Sequence, residues 1–123
     1  MLISEGSLAD VNKKLPSGVS KVTMDQFRPN FVASGCDAFD EDSWKDVYIG
    51  GVKYTNIKKC DRCILTTVNP KTGTKHPDME PLKTLRSYRL IVPEFDQAPC
   101  FGVNFVADWT GNIHVGDEIL ATK

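Results

Sequence analysis

Gly50-Gly51 constrains this chain more than any other feature, because β-forming residues crowd both sides of it. Trp44, Val47, Tyr48 and Ile49 precede the pair, and Val52, Tyr54, Thr55 and Ile57 follow. A two-residue loop between antiparallel strands requires positive φ at its central residues, which glycine takes without a steric penalty. The spacing therefore predicts a hairpin of residues 44–49 and 52–57. Similar punctuation recurs along the chain. Pro29 and Gly35 bracket a short strand at 31–34, and Asn69-Pro70-Lys71-Thr72-Gly73 ends another at 64–68. Gly111 separates alternating runs at 101–107 and 113–120, while Leu2-Ile3 reads as the tail of a strand. Two short helices complete the pattern. In residues 7–15, Ser7 is the expected N-cap, Leu8, Val11 and Leu15 share a face, and Pro16 stops the helix. In residues 81–89, Pro81 suits the first turn, and Leu82, Leu85 and Tyr88 or Arg89 line one side. Short strands with so few helical turns predict a mainly β, barrel-like fold occupying residues 1–123 as one domain.

The 123 residues suffice for a core without disulfide staples. A net charge of -1 gives no whole-molecule attraction to nucleic acid or to an anionic membrane. No apolar run approaches the roughly 20 residues of a membrane-spanning helix. The first residues carry an acid, Glu5, and no basic segment, so a cytoplasmic location with reduced cysteines is the expectation.

Chemistry concentrates at Cys60-Asp61-Arg62-Cys63, preceded by Lys58 and Lys59. Neighbouring cations favour a thiolate, which is both a nucleophile and a soft metal ligand. The β-branched run after the motif places Cys63 at the mouth of a strand, with Arg62 beside it. A structural zinc site needs four ligands, usually as two pairs, and Cys36, Cys100, His76 and His114 are each solitary. A thioredoxin-like pair opens a helix, whereas strand sequence follows here. Two inert, partly buried cysteines remain the third reading. Arg28-Pro29-Asn30 offers a guanidinium fork and a side-chain amide, which suit a phosphate or a polar heterocycle. Pro29 keeps Arg28 out of the right-handed helical region, so an extended backbone is expected. The competing reading pairs Arg28 with the acids of 37–42 on the surface. Asp40-Glu41-Asp42 reads as a solvated loop without the oxygen spacing of a calcium site. Lys71, Lys75, Lys83, Arg86 and Arg89, with His76 nearby, form a basic region: a solvated face, or an attraction for an anionic cofactor or partner. His114 points away from the face of Ile113 and Val115 and reads as structural.

Five blocks occur in order: Phe27-Arg28-Pro29-Asn30; Ser34-Gly35-Cys36-Asp37-Ala38-Phe39 with Glu41-Asp42-Ser43-Trp44; Cys60-x-Arg62-Cys63-Ile64-Leu65-Thr66-Thr67; Glu80-Pro81-Leu82-Lys83-Thr84-Leu85; and Phe101-Gly102-Val103-Asn104 with Val115-Gly116-Asp117-Glu118. Together they resemble the MOSC domain, named for the C-terminus of molybdenum cofactor sulfurase. The likeness is greatest to bacterial relatives of the mitochondrial amidoxime-reducing component.

The resemblance implies a β-barrel that binds molybdenum cofactor (molybdopterin), with Cys63 as the protein ligand to molybdenum and the catalytic thiolate. It implies cofactor contacts from Arg28, Asn30, Asp61 and Arg62. Asp61 departs from the family's Ser, placing an acid near an anionic group at a cost of roughly 1 kcal/mol when well screened. The implied activity is reduction of small N-hydroxylated substrates, with electrons from a separate electron-transfer protein. At the family level the resemblance also admits pyridoxal phosphate binding. It further implies a partial barrel whose first strands are missing, so that an exposed edge would be repaired by a homodimer. Two other readings stand beside it: a cofactor or sulfur carrier without turnover, and an inactive oligomeric remnant.

Overall fold

The computed structural model describes residues 1–123. Its strands are β1 (Leu2–Ser4), β2 (Phe31–Ala33), β3 (Asp46–Ile49), β4 (Val52–Asp61), β5 (Cys100–Ala107) and β6 (Ile119–Thr122), and its helices are α1 (Glu5–Lys14) and α2 (Leu82–Arg86). The strands form one sheet in the order β2-β1-β5-β4-β3-β6, so the mainly β expectation holds. The β1–β2 pair is parallel and the other neighbours are antiparallel. This order leaves β2 and β6 as edges. The sheet curls enough for β2 and the segment leading into β6 to line one cleft of about 410 Å³, which gives a half-barrel.

The hairpin forms as its sequence demands. Gly50 and Gly51 have φ of 55° and 79°, and the strands pair from Ile49 with Val52 out to Asp46 with Thr55. Beyond its expected end at Ile57, β4 continues to Asp61 because Lys58, Lys59 and Asp61 find partners in Asn104, Val103 and Cys100. That extension places Cys60 within a strand. The register also shifts between Lys59 and Asp61, with the extra residue on β5. Gly102 lies there at φ 89°, and a Cβ on it would meet Ile3 Cγ1 at 2.7 Å and the Leu2 carbonyl at 3.0 Å. Only glycine lets β1 approach so closely.

Leu2, Ala33, Trp44, Val47 and Ile49 fill the inside of the curl, with Phe31, Tyr54 and Phe105 against them. A second cluster of Ile3, Val11, Val22, Phe27, Leu85 and Phe101 packs the helices onto the sheet. Successive residues of β1 thus face different cores, as strand alternation requires.

Several local expectations are corrected. Helix α1 starts earlier, with Ser4 rather than Ser7 as its cap: Ser4 Oγ accepts the Ser7 amide at 3.0 Å. Glu41 is buried rather than solvated, accepting the Ser4 amide at 3.1 Å and the Ser7 hydroxyl at 2.7 Å. Its carboxylate therefore lies against the positive end of α1, where an anion is favoured.

Residues 64–67 form a 3₁₀ turn instead of a strand. Thr66 Oγ1 donates to the Cys63 carbonyl at 2.9 Å, and Thr67 Oγ1 donates to that of Ile64 at 2.6 Å. These hydroxyl-to-backbone bonds override the β preference of the run. The strand expected over 113–120 is confined to Ile119–Thr122, because Asp117 Oδ2 takes the His114 amide at 2.8 Å and closes a turn. Arg89 leaves the basic face altogether. It is buried, pairs with Asp42 at 2.6 Å, donates to the Cys100 carbonyl and stacks 4.0 Å over the Phe39 ring.

Candidate functional site

Strand β4 delivers the two cysteines in different settings. Asp61 ends the strand, and the Arg62 amide then bonds the Pro99 carbonyl at 2.8 Å. Cys63 follows with extended backbone, φ -111° and ψ -178°, at the head of the 3₁₀ turn rather than at the mouth of a strand. Its thiol is exposed, carries no hydrogen bond and lines a cleft of about 80 Å³ with Gln26, Arg28, Asp61, Arg62, Leu65 and Thr66. A second cleft, of about 340 Å³, shares Gln26, Arg28 and Leu65 with the first, so the two form one open groove. Gln26 Nε2 donates to the Thr66 carbonyl at 3.0 Å and holds the walls of this groove together.

The cation expected to serve Cys63 serves its neighbour instead. Arg62 Nη1 lies 3.3 Å from Cys60 Sγ and also contacts Met1 Sδ at 2.7 Å. Residues two apart on an extended chain share a face, so side chains 60 and 62 project together and 63 does not. Arg62 Nη2 donates to the Phe27 carbonyl at 2.6 Å, and the guanidinium lies 5.7 Å from the Phe27 ring centroid. A guanidinium has five N–H donors, so Arg62 keeps donors for a ligand in the cleft it lines.

Arg28 is the free cation of the groove. It is exposed and pairs with no carboxylate; among the acids of 37–42, Asp42 goes to Arg89 and Asp40 to Lys123. Its backbone is not extended. The Arg28 amide bonds the Asp25 carbonyl at 3.2 Å, closing the turn Met24–Gln26, and φ is 55°. Pro29 excludes the right-handed helical region, and this turn then selects the left-handed one, a strained choice for arginine.

Asp61 pairs with Lys58 at 3.2 Å, which offsets its charge beside Cys63. Asn30 is not brought to the Cys63 groove. Its Oδ1 accepts the Met1 amine at 2.8 Å, its amide bonds the Met1 carbonyl at 2.9 Å, and it lines the cleft between the sheet edges.

At Cys36 and Cys100 the thiolate form is disfavoured. Burial pushes the pKa of Cys100 up, and burial followed by the nearby Glu41 charge does the same for Cys36. Nowhere do three His, Cys, Asp or Glu side chains converge as a cation site, so Cys60 and Cys63 have no further ligands for zinc. Sequence reasoning missed Gln26, Leu65 and Thr66. Gln26 precedes the Phe27-Arg28-Pro29 block directly, but a glutamine before a turn carries no recognisable signal. Thr66 was hidden by its β-branched neighbours.

The model of the MOSC domain matches residues 1–120. The chain belongs to the MOSC domain family. It is 46% identical over 122 residues to mitochondrial amidoxime reducing component 2 of Rattus norvegicus, covering 96% of this chain and 35% of that protein. It is also 46% identical over 123 residues to mitochondrial amidoxime-reducing component 1 of Homo sapiens, covering 97% and 35%. A third relative, component 1 of Danio rerio, is 40% identical over 119 residues, covering 97% and 35%. This MOSC domain thus spans about 35% of the length of these relatives. It is a molybdenum-cofactor-related domain, and its half-barrel is a partial form of the barrel that the sequence resemblance implied.

Proposed function

We propose that this MOSC domain forms the cysteine-bearing wall of a molybdenum-cofactor site in a reductase of N-hydroxylated compounds. One observation carries the reading: the unbonded, exposed thiol of Cys63 and the unpaired guanidinium of Arg28 line the same groove. Such a donor set fits the group. A thiolate is a soft donor suited to a metal already held by sulfur, and an uncommitted guanidinium suits an oxyanion. When bound, the cofactor supplies two-electron redox chemistry that removes an oxygen atom from the substrate. Cys63 is assigned as the protein ligand to the metal. Arg28 is assigned to the anionic portion of the cofactor. Arg62 acts partly by position, tying the Cys60–Cys63 segment to the Phe27 carbonyl immediately before Arg28. Asp61 is tolerated beside an anion because Lys58 partners it. Asn30 is assigned a positioning role, fixing the start of β1 against the chain after Arg28.

The groove is open, so the rest of the cofactor must be covered by surfaces other than those of this chain. Small N-hydroxylated substrates and a separate electron-transfer protein are the proposed partners, following the amidoxime-reducing relatives. The test is reduction of an amidoxime by cofactor-loaded protein with an artificial electron donor. Turnover lost in Arg28→Ala but retained in Asn30→Ala supports these assignments. Full turnover in Arg28→Ala contradicts them.

A further inference from the structure

A cleft of about 400 Å³ that shares Gln26 with the Cys63 groove lies between residues 20–26 and 67–77. Its 11 lining residues include only Val22 and Pro77 with purely hydrocarbon side chains, and no Asp or Glu. Lys21 and Lys75 line it, and neither ammonium group pairs with a carboxylate anywhere in the chain. His76 Nδ1 accepts the Asp78 amide at 3.1 Å, so the neutral ring carries its proton on Nε2 and remains a donor. Hydroxyls of Thr72 and Thr74 complete a lining rich in donors. In a chain of net charge -1, this is a local concentration of unmatched positive charge.

Both walls are fixed by bonds that leave these donors free. Asn12 clamps the Lys21 wall, accepting the Val22 amide at 2.8 Å and donating to its carbonyl at 3.0 Å. The opposite wall is a short ladder, with Asn69 N to Thr74 O at 2.9 Å, His76 N to Thr67 O at 2.8 Å and a bridge between Val68 and Lys75. Donors held in place before binding need less ordering when an anion arrives.

We propose that this cleft binds the phosphate group of a small polar molecule, using Lys21, Lys75 and His76, at a site separate from Cys63. A phosphate presents several acceptor oxygens to several converging donors. The cleft exceeds what a bare phosphate needs, and its hydroxyls and side-chain amides can bond the polar groups of a small esterified body. The site goes beyond the cofactor proposal and stands without it, because Cys63, Arg28 and Arg62 do not line it.

The test is an amide-resolved NMR titration of the 123-residue chain with inorganic phosphate and, separately, with glycerol 3-phosphate, at constant ionic strength. Saturable shifts centred on Lys21, Asn69, Thr74 and His76 are expected. The Lys21→Ala/Lys75→Ala variant, altered at two exposed positions, should bind about tenfold more weakly or worse, whereas Lys75→Arg should bind nearly as the parent does. Tighter binding of the ester supports the proposal, and equal or tighter binding of the free ion overturns it in favour of phosphate itself. Shifts that do not saturate, that survive in the double variant, or that centre on Arg28 and Arg62 overturn the proposal. Cys63→Ala should leave this titration unchanged, so its outcome is independent of molybdenum loading.

Discussion

Replacing Arg62 with alanine tests how the candidate site is held together. Its guanidinium bridges Cys60 and the segment before Arg28, donating to the Phe27 carbonyl at 2.6 Å while contacting Cys60 Sγ at 3.3 Å. A hydrogen bond from a charged donor contributes about 1.5–3 kcal/mol, and a partly exposed cation over an aromatic ring adds roughly 0.5–1 kcal/mol. The group is half-buried, so solvent replaces part of what is lost, and about 2 kcal/mol is the expected destabilisation. For a domain of this size that lowers Tm by roughly 6–10 °C. Thermal unfolding followed by circular dichroism measures it directly. Arg62→Lys should recover only part of the loss, because an ammonium cannot reproduce the planar fork that meets carbonyl and thiol together. A Tm drop below about 2 °C for alanine, or full recovery by lysine, would refute the claim that Arg62 braces the site.

Other outcomes follow from the same geometry. Iodoacetamide under native conditions should label Cys63 first and Cys36 and Cys100 last, because burial raises the latter two pKa values; peptide mass spectrometry gives the order. Gly102→Ala should cost roughly 3 kcal/mol, from positive φ and from a Cβ pressed against Ile3 and the Leu2 carbonyl, as read by urea unfolding. The hairpin's Asp46–Lys53–Asp108 cluster should confer pH-dependent stability. Hydrogen bonding from Thr55 holds Asp46 below its ordinary 3.8, so its contribution is present above that value and is lost as pH falls through the depressed one. Hydrogen bonding to Asp108 holds Lys53 above 10.5, so its contribution is present below that value and is lost as pH rises through the elevated one. Comparing Tm of the parent and Asp46→Asn across pH should show the difference closing at acid pH.

Much of the fold was legible because it rested on local chemistry. Gly50-Gly51 dictated a turn that only one strand geometry satisfies, and Pro81 and Pro16 bounded the two helices. The failures came where a side chain competed with the backbone or a distant partner intervened. Thr66 and Thr67 turned a β-branched run into a 3₁₀ turn, and the remote Glu41 helped move the cap of α1 back to Ser4. Arg89, open in the sequence to either the packed side of its helix or a basic face, is drawn inward by Asp42 from 47 residues away.

At the site, the residue types were visible but their grouping was not. Strand extension to Asp61 could not be foreseen without β5, and it decided that Arg62 would face Cys60. Likewise, Arg28 and Asn30 are near neighbours in sequence, yet the left-handed turn at Arg28 sends them to different clefts.

Cys63, and not Cys60, is the proposed ligand to molybdenum. The most direct test of this assignment is the molybdenum content, by elemental analysis, of protein purified from a host that makes the cofactor. Bound molybdenum is expected in the parent and in Cys60→Ala, and its loss in Cys63→Ala. Equal molybdenum in the Cys63 variant and the parent, or loss only in the Cys60 variant, would contradict it.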